Sequence, residues 1–123
     1  KDGDPYMVFG TPGGDSQDQW ALQFFLNYVD FGMNLQEALD APTVHSTHFP
    51  SSFYPRKAYP GTVVAESRIS RQVISDLERR GHEVVLAGEW AHGKVMGIRF
   101  DKKHGTILGG ASPKGNIGYA LGW

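Results

Sequence analysis

Gly10-Thr11-Pro12-Gly13-Gly14-Asp15-Ser16-Gln17-Asp18-Gln19 is a glycine turn that runs into the start of a helix. Ser16 and Gln19 stand at capping-box spacing. That spacing predicts a serine hydroxyl accepting from the Gln19 amide and a Gln19 side chain reaching back to Ser16 N–H. Gly13 and Gly14 carry no Cβ, so other groups can approach their amides closely. Free N–H groups beside a helix N-terminus form a positively polarised pocket. Such a pocket suits a bound anion or the oxyanion of an acyl-transfer transition state. The same residues also suit a plain strand-to-helix turn in which glycine supplies the backbone angles, and on this stretch alone both readings stand.

Upstream, Lys1-Asp2-Gly3-Asp4 reads as a hairpin turn, followed by a strand over Pro5-Tyr6-Met7-Val8-Phe9. The strand that should precede the turn is missing, so the chain is expected to be a piece of a longer protein. Downstream, the main helix is expected over 17–31. Trp20, Phe24, Tyr28 and Phe31 make one apolar stripe; Leu22, Phe25, Leu26 and Val29 make a second. Gln19, Gln23, Asn27 and Asp30 leave only a narrow polar strip, so the helix expects cover on more than one side. Gly32 supplies a left-handed cap.

Asn34 and Glu37 have the spacing of a capped short helix, which should stop at Ala41 before Pro42. Thr43-Val44-His45 reads as a short strand, and residues 49–55 as an irregular aromatic segment laid over the core. Residues 62–66 read as a strand. Ser70 caps a helix through Arg80 with Val73, Ile74 and Leu77 facing the core, Gly81 ends it, and 82–86 return as a strand. Alternation over 94–100, a turn at 101–105 and a strand at 106–111 make a hairpin. The tail Ser112-Pro113-Lys114-Gly115-Asn116-Ile117-Gly118-Tyr119-Ala120 reads as a loop beside a site or as a simple end. The order predicts helices packed on an antiparallel sheet, an α+β layout in a single domain, 1–123.

The totals narrow the chemistry. The chain has 123 residues, 12 basic and 13 acidic, and a net charge of −1. That balance offers no electrostatic case for nucleic acid or an anionic membrane. Cysteine is absent, which excludes disulfides, thiolate metal sites and a cysteine nucleophile. No apolar run approaches the ~20 residues of a membrane-spanning helix. His45 and His48 stand three apart, but a catalytic zinc wants three protein ligands and no third stands nearby in pattern. They read as ordinary hydrogen-bonded or exposed histidines, and no metal or cofactor is expected. Neither a Gly-x-Ser-x-Gly elbow nor a phosphate loop is present. Asp15 and Asp18 read as acids that stabilise the helix start. A plausible oxyanion pocket thus stands without an obvious nucleophile, which predicts that half a site is supplied from outside the chain.

Gly10-Thr11-Pro12-Gly13-Gly14, the aromatic helix, and the block from Asn27 through Asp30-Phe31-Gly32-Met33-Asn34, Glu37-Ala38 and Ala41-Pro42 together resemble the small subunit of γ-glutamyltranspeptidases. Asp76-Leu77-Glu78-Arg79-Arg80-Gly81-His82-Glu83-Val84 and Gly109-Gly110-Ala111-Ser112-Pro113 fit the same family in the same order. The resemblance covers nearly the whole chain. It implies an αββα N-terminal-nucleophile hydrolase that cuts itself into two subunits. In such enzymes the new N-terminal threonine is nucleophile and, through its amino group, base. The family transfers a γ-glutamyl group from glutathione or related amides to water or an amino acid. The resemblance assigns oxyanion donation to the backbone amides of Gly13 and Gly14.

The same resemblance places the nucleophilic threonine upstream of Lys1, along with the groups that hold the glutamyl α-amino and α-carboxylate. The chain is therefore expected to be the C-terminal part of the small subunit, inactive alone. Its expected partners are the large subunit and the upstream part of the small one, or further copies of itself. Typical members continue the glycine pair with Ser-Arg-Ile, where this chain has Asp15-Ser16-Gln17. Their Ala-Ser-Asp-Pro-Arg appears as Ala111-Ser112-Pro113-Lys114. These departures leave room for a cephalosporin-acylase-like amidase. A non-catalytic binding or assembly module that keeps the fold is the alternative from another class. The family has secreted and periplasmic members, and nothing in the sequence fixes a compartment.

Overall fold

The structure, a computed structural model, describes residues 3–116 and 118–122, with the side chain of Asn116 outside the description. Lys1 and Asp2 of the expected N-terminal turn and Ile117 of the tail therefore lie outside the described residues. The elements run β1 (Met7–Gly10), α1 (Gln17–Val29), α2 (Leu35–Asp40), β2 (Val44–Ser46), β3 (Thr62–Glu66), α3 (Arg71–Arg79), β4 (Glu83–Ala87), β5 (Met96–Asp101) and β6 (Thr106–Ala111). One sheet is antiparallel in the order β1-β5-β6; its β5–β6 pair is the hairpin expected over 94–111, and β1 adds to the other side of β5. The second has the order β2-β3-β4. Its β3–β4 pair is parallel, because α3 carries the chain back over the sheet between them. The α+β layout stands, with this mixed second sheet added to it.

Helix α2 carries the full capping box between Asn34 and Glu37, with Glu37 N to Asn34 Oδ1 at 2.9 Å and Asn34 N to Glu37 Oε2 at 2.8 Å. Ser70 caps α3 through Val73 N. Gly32, at φ +68°, follows α1 in the left-handed conformation. The core gathers Trp20 and Phe24 from α1, Leu35, Ala38 and Leu39 from α2, and Val95. Each fully buried large apolar side chain contributes about 1.5–3 kcal/mol. The bed beneath them is made by two glycines paired across the hairpin, Gly97 and Gly110. A Cβ at Gly110 would lie 2.6 Å from Leu39 Cδ1, and one at Gly97 3.3 Å from Phe24 Cζ. Side chains there would push both helices off the sheet.

Several expectations need correction. Residues 49–55 do not lie over the core: Phe49 and Phe53 are exposed and Tyr54 is 95% exposed, because the segment turns outward on its own hydrogen bonds. Val73 is 48% exposed, with Ile74 and Leu77 half-buried, so the apolar face of α3 is only partly covered. Phe31 is 73% exposed because α1 has ended by Val29. Leu22, Phe25 and Val29 are also exposed, so the second stripe of α1 is covered only in part, by the Phe9 ring stacked on Phe25 and at half-buried Leu26. Among those residues no helix is long and apolar enough to cross a membrane.

Candidate functional site

Strand β1 delivers the chain to the glycine turn, and a single 3₁₀ turn over Gly14–Ser16 leads into α1. Gly13 has φ +141° and Gly14 φ +56°, angles that side-chain-bearing residues rarely take. The expected capping box does not form. Ser16 already has helical angles (φ −96°, ψ −4°) and makes no side-chain cap, whereas a capping hydroxyl needs an extended backbone to reach the third amide. Gln19 is used elsewhere. It accepts from Ser46 N at 2.7 Å and donates to Ser46 O at 3.0 Å. One turn on, Gln23 does the same for Val44, at 3.0 and 2.6 Å. The two carboxamides act as a surrogate strand along the open edge of β2, and so fix the turn relative to the second sheet.

The two glycine amides differ. Among the described residues the Gly13 N–H has no hydrogen-bond partner. Gly14 N–H is taken by Gln17, whose side-chain oxygen accepts from it at 3.1 Å while its nitrogen donates to Thr11 O at 3.0 Å. The surrounding donors and acceptors assign this amide orientation. Gln17 stands where the resemblance has isoleucine, so this contact is particular to the departure noted above.

Asp15 anchors the outward-turned segment as well as acidifying the first turn. Its carboxylate accepts from Ser51 Oγ at 2.8 Å, from Ser52 N at 2.9 Å and from Ser52 Oγ. The Ser52 and then the Ser51 hydroxyl hold its pKa below the ordinary carboxylate value. Asp18 occupies the first turn of α1, as expected of an acid there. A cavity of 330 Å³ opens between Gly13, Asp15 and Ser16 on one side and residues 46–59 on the other. A second, of 320 Å³, lies between Pro12, Gly13 and Trp20 and the loop 91–94. Gly13 borders both.

Beneath the turn, Trp20 lies flat against His92 (5.6 Å, 12°) and meets His45 edge-on (5.2 Å, 87°). Burial, and then the neighbouring His92, push the pKa of His45 down, which keeps its imidazole neutral at neutral pH. Against the expectation of a hydrogen-bonded or exposed histidine, His45 makes no hydrogen bond through Nδ1 among the described residues and is a buried ring packed between Trp20 and His92, while His48 accepts from Gly61 N through Nδ1 at 3.1 Å. Among the described residues no group of three His, Asp or Glu is placed to hold a metal ion.

His92 and a buried charge cluster carry no local signature in the sequence. Glu66 and Lys114 are both 0% exposed and pair at 3.2 Å, and Arg68 joins Glu66 at 3.0 Å. Only the position of Lys114, where the resemblance has arginine, offered a signal.

The model of the Gamma-glutamyltranspeptidase family matches residues 1–122. The solved structure of LmbA2991HD superposes at TM-score 0.93 with 45% identity, covering 100% of this chain and 22% of that one. The glutathione hydrolase-like YwrD proenzyme of Bacillus subtilis is 31% identical over 99% of this chain and 22% of its own length. A cephalosporin acylase from Bacillus halodurans matches at TM-score 0.74 and 28% identity, over 90% of this chain and 19% of that one. The chain spans 9% and 22% of the first two curated relatives it matches.

Proposed function

The chain belongs to the gamma-glutamyltranspeptidase family and carries part of its αββα N-terminal-nucleophile hydrolase fold, and on that premise we propose that it supplies the oxyanion donors of an enzyme cleaving or transferring γ-glutamyl amides. The observation that carries this reading is the Gly13 N–H, without a hydrogen-bond partner among the described residues, held at a backbone angle only glycine takes easily, on the border of two cavities. A threonine from outside the chain attacks the amide carbon, and the carbonyl oxygen becomes anionic as the new C–O bond forms. Gly13 N–H donates to it, and Gly14 N–H joins when Gln17 turns away. Collapse of the intermediate breaks the C–N bond, the amine leaves with a proton, and water or an amine then takes the acyl group.

On this reading residues 1–123 form one unit, the C-terminal part of the small subunit. They are inactive without the rest of the enzyme, whose segments cover the exposed stripe of α1. A second reading, an amidase acting on a different acyl group, is favoured by Gln17, which occupies the Gly14 amide where typical members have an apolar side chain.

The test is an assay of the full-length enzyme on a γ-glutamyl anilide. Release of the aniline, falling by about 10²-fold in Gly13→Ala, is expected. An inert γ-glutamyl anilide overturns the substrate class, and normal turnover in Gly13→Ala overturns the role of the turn.

A further inference from the structure

We propose that His92, locked in place by Glu66 and Thr43, is a positioning residue for the glycine turn. It holds the Trp20 ring that sets the direction of the Gly13 N–H. The proposal rests on the oxyanion reading above.

Both backbone groups of His92 are pinned. Its N–H donates to Glu66 Oε1 at 3.2 Å, and its carbonyl accepts from Thr43 Oγ1 at 3.2 Å. Thr43 and Glu66 are themselves tied by two bonds. Thr43 N donates to Glu66 Oε2 and Glu66 N to Thr43 O, each at 3.0 Å. Glu66 is wholly buried, and its second oxygen also faces Arg68 Nη2 at 3.0 Å and Lys114 Nζ at 3.2 Å. Arg68 grips the same loop further back. Its Nε donates to Glu89 O at 2.6 Å and its guanidinium lies 3.5 Å over the Trp90 ring. A buried carboxylate with this many charged donors has no cheap alternative arrangement, so the loop has one position.

From that anchor the contact passes through two flat rings. The His92 imidazole is nearly parallel to the Trp20 indole, 5.6 Å between centroids, and His45 meets both rings edge-on. Trp20 in turn fills the space beside Gly13: a Cβ there would lie 2.1 Å from Trp20 Cζ3. The indole thus bounds the turn at Gly13, and that same indole is stacked on His92. A donor displaced by about 1 Å from the developing oxyanion can cost about 10²-fold in rate. A loosened ring would therefore appear in the chemical step and not in substrate affinity.

The test uses the full-length enzyme and a γ-glutamyl anilide, with His92→Ala and His92→Phe compared. We expect His92→Ala to lower kcat by about tenfold or more with KM within about twofold. His92→Phe, which keeps a flat ring on Trp20, should recover kcat to within about threefold of the parent. A folded His92→Ala enzyme at parental kcat overturns the proposal, as does a His92→Phe enzyme as slow as the alanine variant. Should His92→Ala fail to assemble, His92→Leu keeps the volume without the flat stack and is judged by the same comparison. Gly13→Ala, assayed alongside, separates the two readings. Parental turnover in Gly13→Ala removes the oxyanion role itself, whereas a collapse there with an unaffected His92→Ala removes only the positioning.

Discussion

The six-membered ring of Trp20 occupies the space into which a side chain at Gly13 would project, 2.1 Å from where a Cβ would sit. The glycine is therefore required twice, by its φ of +141° and by the indole beneath it. The two requirements separate in a double-mutant cycle. Trp20→Ala removes a large buried ring and should cost about 3–5 kcal/mol. Gly13→Ala should be destabilising alone and markedly less so in the Trp20→Ala background, where only the backbone strain remains. Urea unfolding of the four proteins measures this. Strict additivity would mean that the ring does not restrict the turn.

Gln23 bonds both backbone groups of Val44 across 21 residues of chain. Gln23→Leu keeps most of the volume and leaves both groups without their partner. A loss of about 1–3 kcal/mol is expected. Gln19→Leu should cost less, because its bonds to Ser46 are exposed and water can replace the carboxamide. Denaturant midpoints test the order, and a larger loss at Gln19 would contradict it.

Glu66 and Lys114 form a fully buried pair. Removing one partner strands the other charge, so Glu66→Ala or Lys114→Ala should each cost about 3–5 kcal/mol. Because Glu66 also accepts from Thr43 N and His92 N, Glu66→Ala should be the worse of the two. Calorimetric melting distinguishes them.

His45 gives the pH dependence its sign. Burial and His92 hold its folded-state pKa below the ordinary histidine value of 6.5. Between the folded value and 6.5 the unfolded chain binds the extra proton, so stability rises with pH through this window and levels off above it. The loss should set in as pH falls below about 6.5 and should be weaker in His45→Phe. An unchanged profile in that variant would place the titration elsewhere.

What the sequence made legible was local. Asn34 with Glu37 and Ser70 with Val73 cap helices within one turn, and the alternation over 96–100 needs only its own strand. The glycine pair at 13–14 was visible as a turn because its neighbours in sequence are its neighbours in space. Gln19 misled for the opposite reason. Its spacing from Ser16 suits a cap, but the open edge of β2, 27 residues away, offers it two backbone bonds at once. His92 was invisible because its ring partner lies on α1 and its backbone partners on β3 and at Thr43. Glu66 draws charged partners from positions 68 and 114, and no periodicity joins them.

If the Gly13 N–H stabilises an oxyanion, removing that hydrogen alone should slow the reaction. An ester-for-amide exchange at Gly13, made by semisynthesis in the full-length enzyme, replaces N–H by O and adds no side chain. The acylation rate should fall by about 10²–10³-fold, with the melting temperature little changed. An acylation rate equal to that of the all-amide enzyme would contradict the oxyanion role.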